Sequence, residues 1–501
     1  MTAMWAALLA LTGWRVRGAA FALGLLAATG QAPLGFWWLS VPALAVLTAL
    51  VATAPGPRGG ADRALWGGTA YFALALSWIV EPFLVDAARH GWMAPFAVLF
   101  LSFGLALFWA VAGALAHFGR PATLMFAVAL AATEYLRGHV LTGFPWAVPG
   151  QVWTDTPVAQ GAAVLGADGL TLLTTLVAGF AAMGRLGGLQ IAVVLTGLAW
   201  GGGQARLGSA EPPDRDVTLR LVQPNTPQDI KWDETVARDL FDRLLTMTAA
   251  PGDGPAPDLV IWPETAVPYL LDTSPRAVAE IAAAGGAAPV AVGIQRSDGA
   301  LRYFNSLAFI GPEGQIAGLY DKHHLVPFGE YMPFGDTLRD WFGITGLAAA
   351  EGHGYSAGPG PQVIDLGGKL GRVLPLICYE AVFPGFPRAV ATRPDWMLQV
   401  TNDAWFGTLS GPYQHLEQAR LRAIEQGLPM IRVANTGVSA VIDAKGRIRA
   451  AMPLGTAGTL DRLLPPALGP TPFARWGDWP LLLLLAALAT LFVTRRGRLR
   501  P

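Results

Sequence analysis

The sequence predicts a polytopic α-helical membrane bundle joined to a globular domain of layered sheets covered by helices, and three observations predict it. Of the 501 residues, 53% are hydrophobic and only 14% are charged, against roughly 25% charged in average soluble proteins. The charges are unevenly spread: residues 18–205 are apolar with scattered single charges, 212–465 are mixed and polar, and 479–494 are apolar again. The polar stretch alternates β-rich runs with amphipathic helical ones. Residues 1–211 are therefore expected to form a bundle, 212–465 a globular domain, and 466–501 one further helix with a basic tail.

Apolar runs long enough for membrane helices stand near 18–30, 34–53, 65–83, 92–116, 122–138, 164–183, 188–205 and 479–494, about eight in all. Arg15 and Arg17 before a short apolar stretch also fit a cleaved signal peptide, but apolarity continues through Phe36, Trp37 and Trp38 and favours a retained helix. The last run holds 16 residues. It spans about 24 Å, short of a hydrocarbon core of roughly 30 Å, and Trp479 with snorkelling arginines can cover the difference. Arg15, Arg17, Arg58, Arg63, Arg120, Arg185, Arg495, Arg496, Arg498 and Arg500 fall on one side of such a topology, and Arg89 and Arg137 on the other. By the positive-inside bias both termini are cytoplasmic and the globular domain faces away from the cytoplasm.

In the globular stretch, strands are expected at Val217–Val222, Leu259–Trp262, Val290–Ile294, Ser306–Ile310, Arg372–Ile377, Trp396–Val400, Met430–Ala434 and Val438–Asp443. Residues 234–247 gather Val236, Leu240, Phe241, Leu244 and Leu245 on one helical face, and 413–426 gather Leu416, Ala419, Ala423 and Ile424. Gly352–Pro361 reads as a loop, and no internal repeat is present.

Lysine plus arginine equal aspartate plus glutamate at 35 each, so no global positive field recruits nucleic acid. The single cysteine, Cys378, excludes an internal disulfide and a cysteine-based zinc cluster. A lone thiol is commonly a small buried hydrophobe. Cys378, however, ends an apolar strand-like run, Val373-Leu-Pro-Leu-Ile-Cys378-Tyr379-Glu380, and two similar runs end in Trp262-Pro-Glu264 and Tyr320-Asp-Lys322. A thiol near pKa 8.5 needs a base or a cation to become a nucleophile. Glu264 can take the proton, and Lys322 with a backbone N–H near Tyr379 can hold an oxyanion. The plainer alternative is a Glu264–Lys322 ion pair that only crosslinks two strands. His323, His324 and His415 show no carboxylate-histidine spacing that completes a metal site, and neither metal nor cofactor is expected.

Trp262-Pro-Glu264, Tyr320-Asp-Lys322 and Cys378-Tyr-Glu380 resemble the three signature segments of the nitrilase, or carbon-nitrogen hydrolase, superfamily. Lys322-His-His-Leu-Val-Pro-Phe-Gly-Glu330, Thr401-Asn-Asp-Ala-Trp-Phe-Gly407, Gly411-Pro-Tyr-Gln-His415 and Gly143-Phe-Pro-Trp146 resemble the apolipoprotein N-acyltransferase family within it. The resemblance implies an α-β-β-α sandwich for the globular domain, with Glu264 as general base, Lys322 as oxyanion stabiliser and Cys378 as nucleophile. It also implies Glu330 as a residue positioning the triad, and Trp232 and Trp405 as substrate-binding positions, although both tryptophans also fit ordinary packing or an interfacial belt. Tyr379 is either a core tyrosine or the source of the oxyanion amide. Glu380 is either a solvated charge or a support for the lysine or the cysteine loop.

The implied activity is acyl transfer from a phospholipid, phosphatidylethanolamine in the family, through a cysteine thioester to the α-amino group of a diacylglyceryl-modified N-terminal cysteine of an apolipoprotein. The implied location is a bacterial inner membrane with the globular domain in the periplasm. Apolar stretches Phe334–Ile344 and Phe383–Phe386 are expected to admit acyl chains. A membrane-tethered amidase with the same triad and a transporter or scaffold are the competing readings. Few paired charges stand in the apolar runs, against transport. Glu134 and Arg137 sit near a helix end with no role assigned.

Overall fold

The computed structural model describes residues 8–228, 231, 235–252, 254–299, 302–331 and 354–497. Trp232 and Phe334–Ile344 lie outside them. The chain divides into two compact units. One comprises residues 1–210, 409–425 and 470–501, the other 211–408 and 426–469.

A helix stands at each apolar run of the first unit: Gly13–Ala28, Trp37–Ala52, Pro57–Ala75, Ala94–Leu115, Ala122–Arg137, Ala162–Ala181, Leu186–Leu207 and Trp479–Gly497. Among the described residues, three helical stretches suffice by length and composition to cross a membrane, 87–118, 157–181 and 186–207, and Trp37–Ala52 and Trp479–Arg495 are shorter apolar helices. The others are shorter or carry charge: Pro57–Ala75 holds Arg58, Asp62 and Arg63, and Ala122–Arg137 ends in Glu134 and Arg137. On Ala94–Leu115, Phe96, Leu99, Phe100, Phe103 and Leu107 are exposed. Such a stripe is stable against lipid rather than water. Gly60 and Gly113 face one another, and a Cβ on either would strike the other's carbonyl. Small residues of this kind let membrane helices approach closely.

Inside the bundle the Glu134–Arg137 pair is fully buried, 2.6 Å apart. Trp109 Nε1 donates to Glu134 Oε1 at 2.9 Å, and the Arg137 guanidinium donates to the Phe144 carbonyl. A buried pair survives only when its remaining hydrogen-bonding capacity is met, and here it fixes the Gly143–Trp146 loop. Residues 409–425 belong to this unit through Gln414, whose Oε1 accepts from Trp146 Nε1 at 2.7 Å and Trp78 Nε1 at 3.2 Å. Its Nε2 donates to the carbonyls of Ala32 and Ala75.

Among its described residues the second unit holds two six-stranded sheets. In chain order the strands are β1 (Thr218–Gln223), β2 (Leu259–Ile261), β3 (Val290–Ser297), β4 (Tyr303–Ile310), β5 (Ile316–Asp321), β6 (Ile364–Asp365), β7 (Arg372–Ile377), β8 (Trp396–Thr401), β9 (Met430–Ala434), β10 (Ser439–Ile442), β11 (Ile448–Met452) and β12 (Gly458–Leu463). The spatial orders are β12-β1-β2-β3-β4-β5 and β11-β10-β9-β8-β7-β6. Parallel pairs stand at the centre, β1–β2–β3 and β7–β8–β9, and antiparallel pairs flank them. The central strands β1, β2, β8 and β9 are buried along their whole length, as strands covered on both faces are. Helices Ala237–Ala249 and Pro275–Gly285 cover the first sheet, where Phe241, Leu244 and Ile281 pack with Val260, Val292 and Ala308. Both sheets present the ends of their parallel strands, after β2 and after β7, to one polar cluster.

Candidate active site

Glu264 leaves β2 through Trp262 and Pro263, and Thr265 after it has φ +45°. That value is an outlier for a β-branched residue. It is held by Lys231, whose Nζ donates to Thr265 Oγ1 at 2.9 Å and to the Glu264 carbonyl at 3.3 Å. Lys322 follows β5, and its amide donates to the Asn305 carbonyl on β4 at 2.8 Å. Cys378 follows β7 directly with φ +52°, a second strained backbone position of the kind that gathers at functional sites. Gln399 Nε2 on β8 donates to its carbonyl at 3.1 Å.

The three groups converge. Lys322 Nζ lies 3.3 Å from Glu264 Oε1 and 2.8 Å from Glu330 Oε1. Asn305 Nδ2 donates to the same two oxygens, at 2.7 and 3.2 Å. Glu264 Oε2 accepts from the Asn402 amide at 2.8 Å, and Glu330 Oε2 from the Val326 amide at 2.8 Å. Glu264, Lys322 and Cys378 are 6%, 1% and 5% exposed, so their mutual charges act with little solvent screening.

Burial alone pushes the Glu264 carboxyl up, yet the Lys322 charge, with the Asn305, Lys231 and Asn402 contacts, holds it below its ordinary value. Burial likewise pushes the Lys322 ammonium down, and Glu264 and Glu330 overcome this and hold it well above. For Cys378, burial comes first and the Glu264 charge adds to it, so the thiol sits well above its ordinary value despite Lys322 and Thr401. The resting arrangement is carboxylate, ammonium and protonated thiol. A thiol so held can react only where a base takes its proton, and the ionised Glu264 carboxylate is available for that. An ammonium has three donors. Glu264 and Glu330 occupy two, leaving one for a developing oxyanion.

Glu380 is fully buried rather than solvated. Its Oε1 accepts from Tyr320 Oη (2.7 Å), the His323 amide (2.8 Å) and the His324 amide (3.1 Å), and its Oε2 from the Ile377 amide (2.7 Å). It ties the turn after Lys322 to the turn carrying Cys378. Burial pushes its carboxyl up to about 7, and the Ile377, Tyr320 and His324 donors with the Lys322 charge oppose that rise. Tyr379 is buried, its ring edge-on to Phe383 with centroids 5.0 Å apart. Trp405 is half-buried in the turn Asp403–Phe406, next to the Asn402 amide that binds Glu264.

Asn402 lies in the segment Thr401–Gly407 already singled out, whereas Asn305 and Lys231 were not evident from the sequence. Their only signal is polarity in or beside apolar strand runs, as in Tyr303-Phe-Asn-Ser-Leu. Among the described residues no group of three or more His, Cys, Asp and Glu is placed to hold a metal ion.

Residues 218–471, which contain both sheets, match the family model described as carbon-nitrogen hydrolase. Residues 23–180 match the apolipoprotein N-acyltransferase N-terminal domain. The apolipoprotein N-acyltransferase of Rhodopseudomonas palustris is 38% identical, covering 97% of this chain and 96% of that protein. Those of Caulobacter vibrioides and Brucella melitensis are 40% and 39% identical, covering 84% and 97% of this chain and 83% and 98% of the relatives. By these matches along both units, the chain belongs to the apolipoprotein N-acyltransferase family.

Proposed function

We propose that this membrane acyltransferase N-acylates apolipoproteins through a thioester on Cys378, with phosphatidylethanolamine as acyl donor and the α-amino group of the N-terminal diacylglyceryl-cysteine as acceptor. The observation that carries the chemistry is the Lys322 ammonium held between Glu264 and Glu330 beside the chain's single thiol. In the first step Glu264 takes the Cys378 proton while Sγ attacks the ester carbonyl carbon. Lys322 Nζ and the Tyr379 amide receive the oxyanion, and collapse expels the lysophospholipid alkoxide, which takes the proton from Glu264. In the second step the acceptor amine attacks the thioester carbonyl, gives its proton to Glu264, and the Cys378 thiolate leaves and is reprotonated.

Glu330 keeps the ammonium in place, Glu380 keeps the two turns together, and Trp232 and Trp405 contact substrate. Residues 1–211 and 466–501 supply about eight membrane helices, 212–465 the catalytic domain. The domain lies on the periplasmic side of the bacterial inner membrane, with both termini cytoplasmic. The arginine distribution in the short loops supports that orientation.

Purified chain incubated with phosphatidylethanolamine and a diacylglyceryl-cysteine peptide is expected to yield a triacylated peptide and lysophospholipid in equal amounts. Ammonia release from small amides without acylated peptide would select the amidase reading instead.

A further inference from the structure

The motif Thr401-Asn-Asp403 has a role that Glu264, Lys322 and Cys378 leave unexplained. Thr401 ends β8, one residue beyond Val400, which pairs with Ile377 just before the cysteine. The Thr401 hydroxyl donates to Asp403 Oδ1 at 2.9 Å and also lies in hydrogen-bonding contact with the Cys378 thiol. A hydroxyl has one proton and two lone pairs. While Asp403 takes the proton, the thiol can only meet a lone pair. When the thiol ionises, the same proton is wanted by sulfur.

What decides between the two acceptors is Arg432, fully buried on β9. Its Nη2 pairs with Asp403 Oδ2, both side chains being inaccessible to solvent. Its Nη1 donates to Gln399 Oε1 at 2.6 Å and its Nε to the Val438 carbonyl at 3.2 Å. Gln399 in turn holds the Cys378 carbonyl at 3.1 Å. One guanidinium therefore grips both the strained backbone of the cysteine and the carboxylate that competes for the Thr401 proton. Gly437 makes room for this pairing, since a Cβ there would strike Asp403 Oδ2. The charged groups acting on Sγ are Glu264, Lys322 and Asp403. Because Arg432 neutralises Asp403, the hydroxyl can turn away from it.

We propose that Thr401 is a further catalytic residue, whose hydroxyl turns from Asp403 to Cys378 Sγ as the thiol proton passes to Glu264, with Arg432 and Asp403 as the positioning pair that makes this turn possible. The proposal rests on Cys378 being the acylated nucleophile. No bond to Thr401 forms or breaks; its proton only changes acceptor.

The test compares Thr401→Val and Thr401→Ser in the full chain by single-turnover acyl-enzyme formation from phosphatidylethanolamine and by alkylation of the single cysteine with iodoacetamide. Thr401→Val is expected to slow acylation at saturating phospholipid by roughly 10- to 100-fold, the effect of one charge-assisted hydrogen bond, with little change in the apparent KM. Alkylation is expected to slow in parallel, and Thr401→Ser to stay within about twofold of wild type on both measures. Should Thr401→Val not fold, Thr401→Ala takes its place, since it loses the same methyl as Thr401→Ser and differs from it only by the hydroxyl. Wild-type rates without the hydroxyl, or equal losses with and without it, overturn the proposal. Acylation surviving in Cys378→Ala would instead remove the reading on which it rests.

Discussion

Lys322→Met is expected to yield a protein that forms no detectable acyl-enzyme and melts at a lower temperature. Removing the ammonium leaves the Glu264 and Glu330 carboxylates facing one another across Asn305, both nearly inaccessible to solvent. Breaking a buried pair by deleting one partner typically destabilises by about 3–5 kcal/mol. The loss of an oxyanion donor adds roughly 3 kcal/mol to the barrier, about a hundredfold or more in rate. The pH dependence separates the two effects. In the wild type Glu264 is held below its ordinary value, so its contribution to stability is present above the unfolded-state pKa and fades as pH falls. In the variant the crowded, buried carboxyls rise above that value, so the folded state binds the extra proton and gains stability on acidification. The gap in melting temperature should therefore narrow from neutral to acid pH. Adding Glu330→Gln should restore much of the stability and none of the activity. A Lys322→Met protein that acylates at a rate within tenfold of wild type would mean that the ammonium only crosslinks strands.

Glu264→Gln is expected to slow acyl-enzyme formation by about 10³- to 10⁴-fold, the upper range for a general base, with a modest change in apparent KM. The thiol is buried and held well above its ordinary value, so almost no thiolate exists without a base to receive the proton. The amide keeps one acceptor for Asn305. Its other end, an NH2, meets the Asn402 amide donor to donor, so some loss of thermal stability should accompany the loss of rate. If Glu264 served only as a strut, the rate would fall no further than the loss of folded protein explains.

The residues that define this site were legible because each ionisable group directly follows an apolar strand run, and the structure places those strand ends together. The eight expected strands correspond to β1–β4 and β7–β10. Of the four sheet edges, β5 was read only as the apolar run before Lys322, and β6, β11 and β12 were missed. The three missed strands are partly exposed, as in Gly458-Thr-Leu-Asp-Arg-Leu463, and carry no continuous apolar run. Helix Pro275–Gly285 was also missed, its Ala- and Gly-rich sequence presenting few large apolar side chains.

The grouping of residues 409–425 with the bundle was not legible either. The face of Leu416, Ala419, Ala423 and Ile424 suggested an ordinary amphipathic helix. Its polar side, with Gln414, Glu417, Gln418, Arg422 and Glu425, is buried as well. Polar residues satisfied inside a protein look in sequence like a solvated face, and for the same reason nothing in the sequence singled out the buried Asn305 and Arg432.

Mass spectrometry of the intact chain after incubation with phosphatidylethanolamine alone tests the central claim most directly. The single cysteine leaves one site for a thioester. The wild type should gain the mass of one acyl chain, lose it on treatment with hydroxylamine or with acceptor peptide, and Cys378→Ala should gain nothing. An unmodified wild type that still acylates peptide, or an equal adduct on Cys378→Ala, would contradict the account.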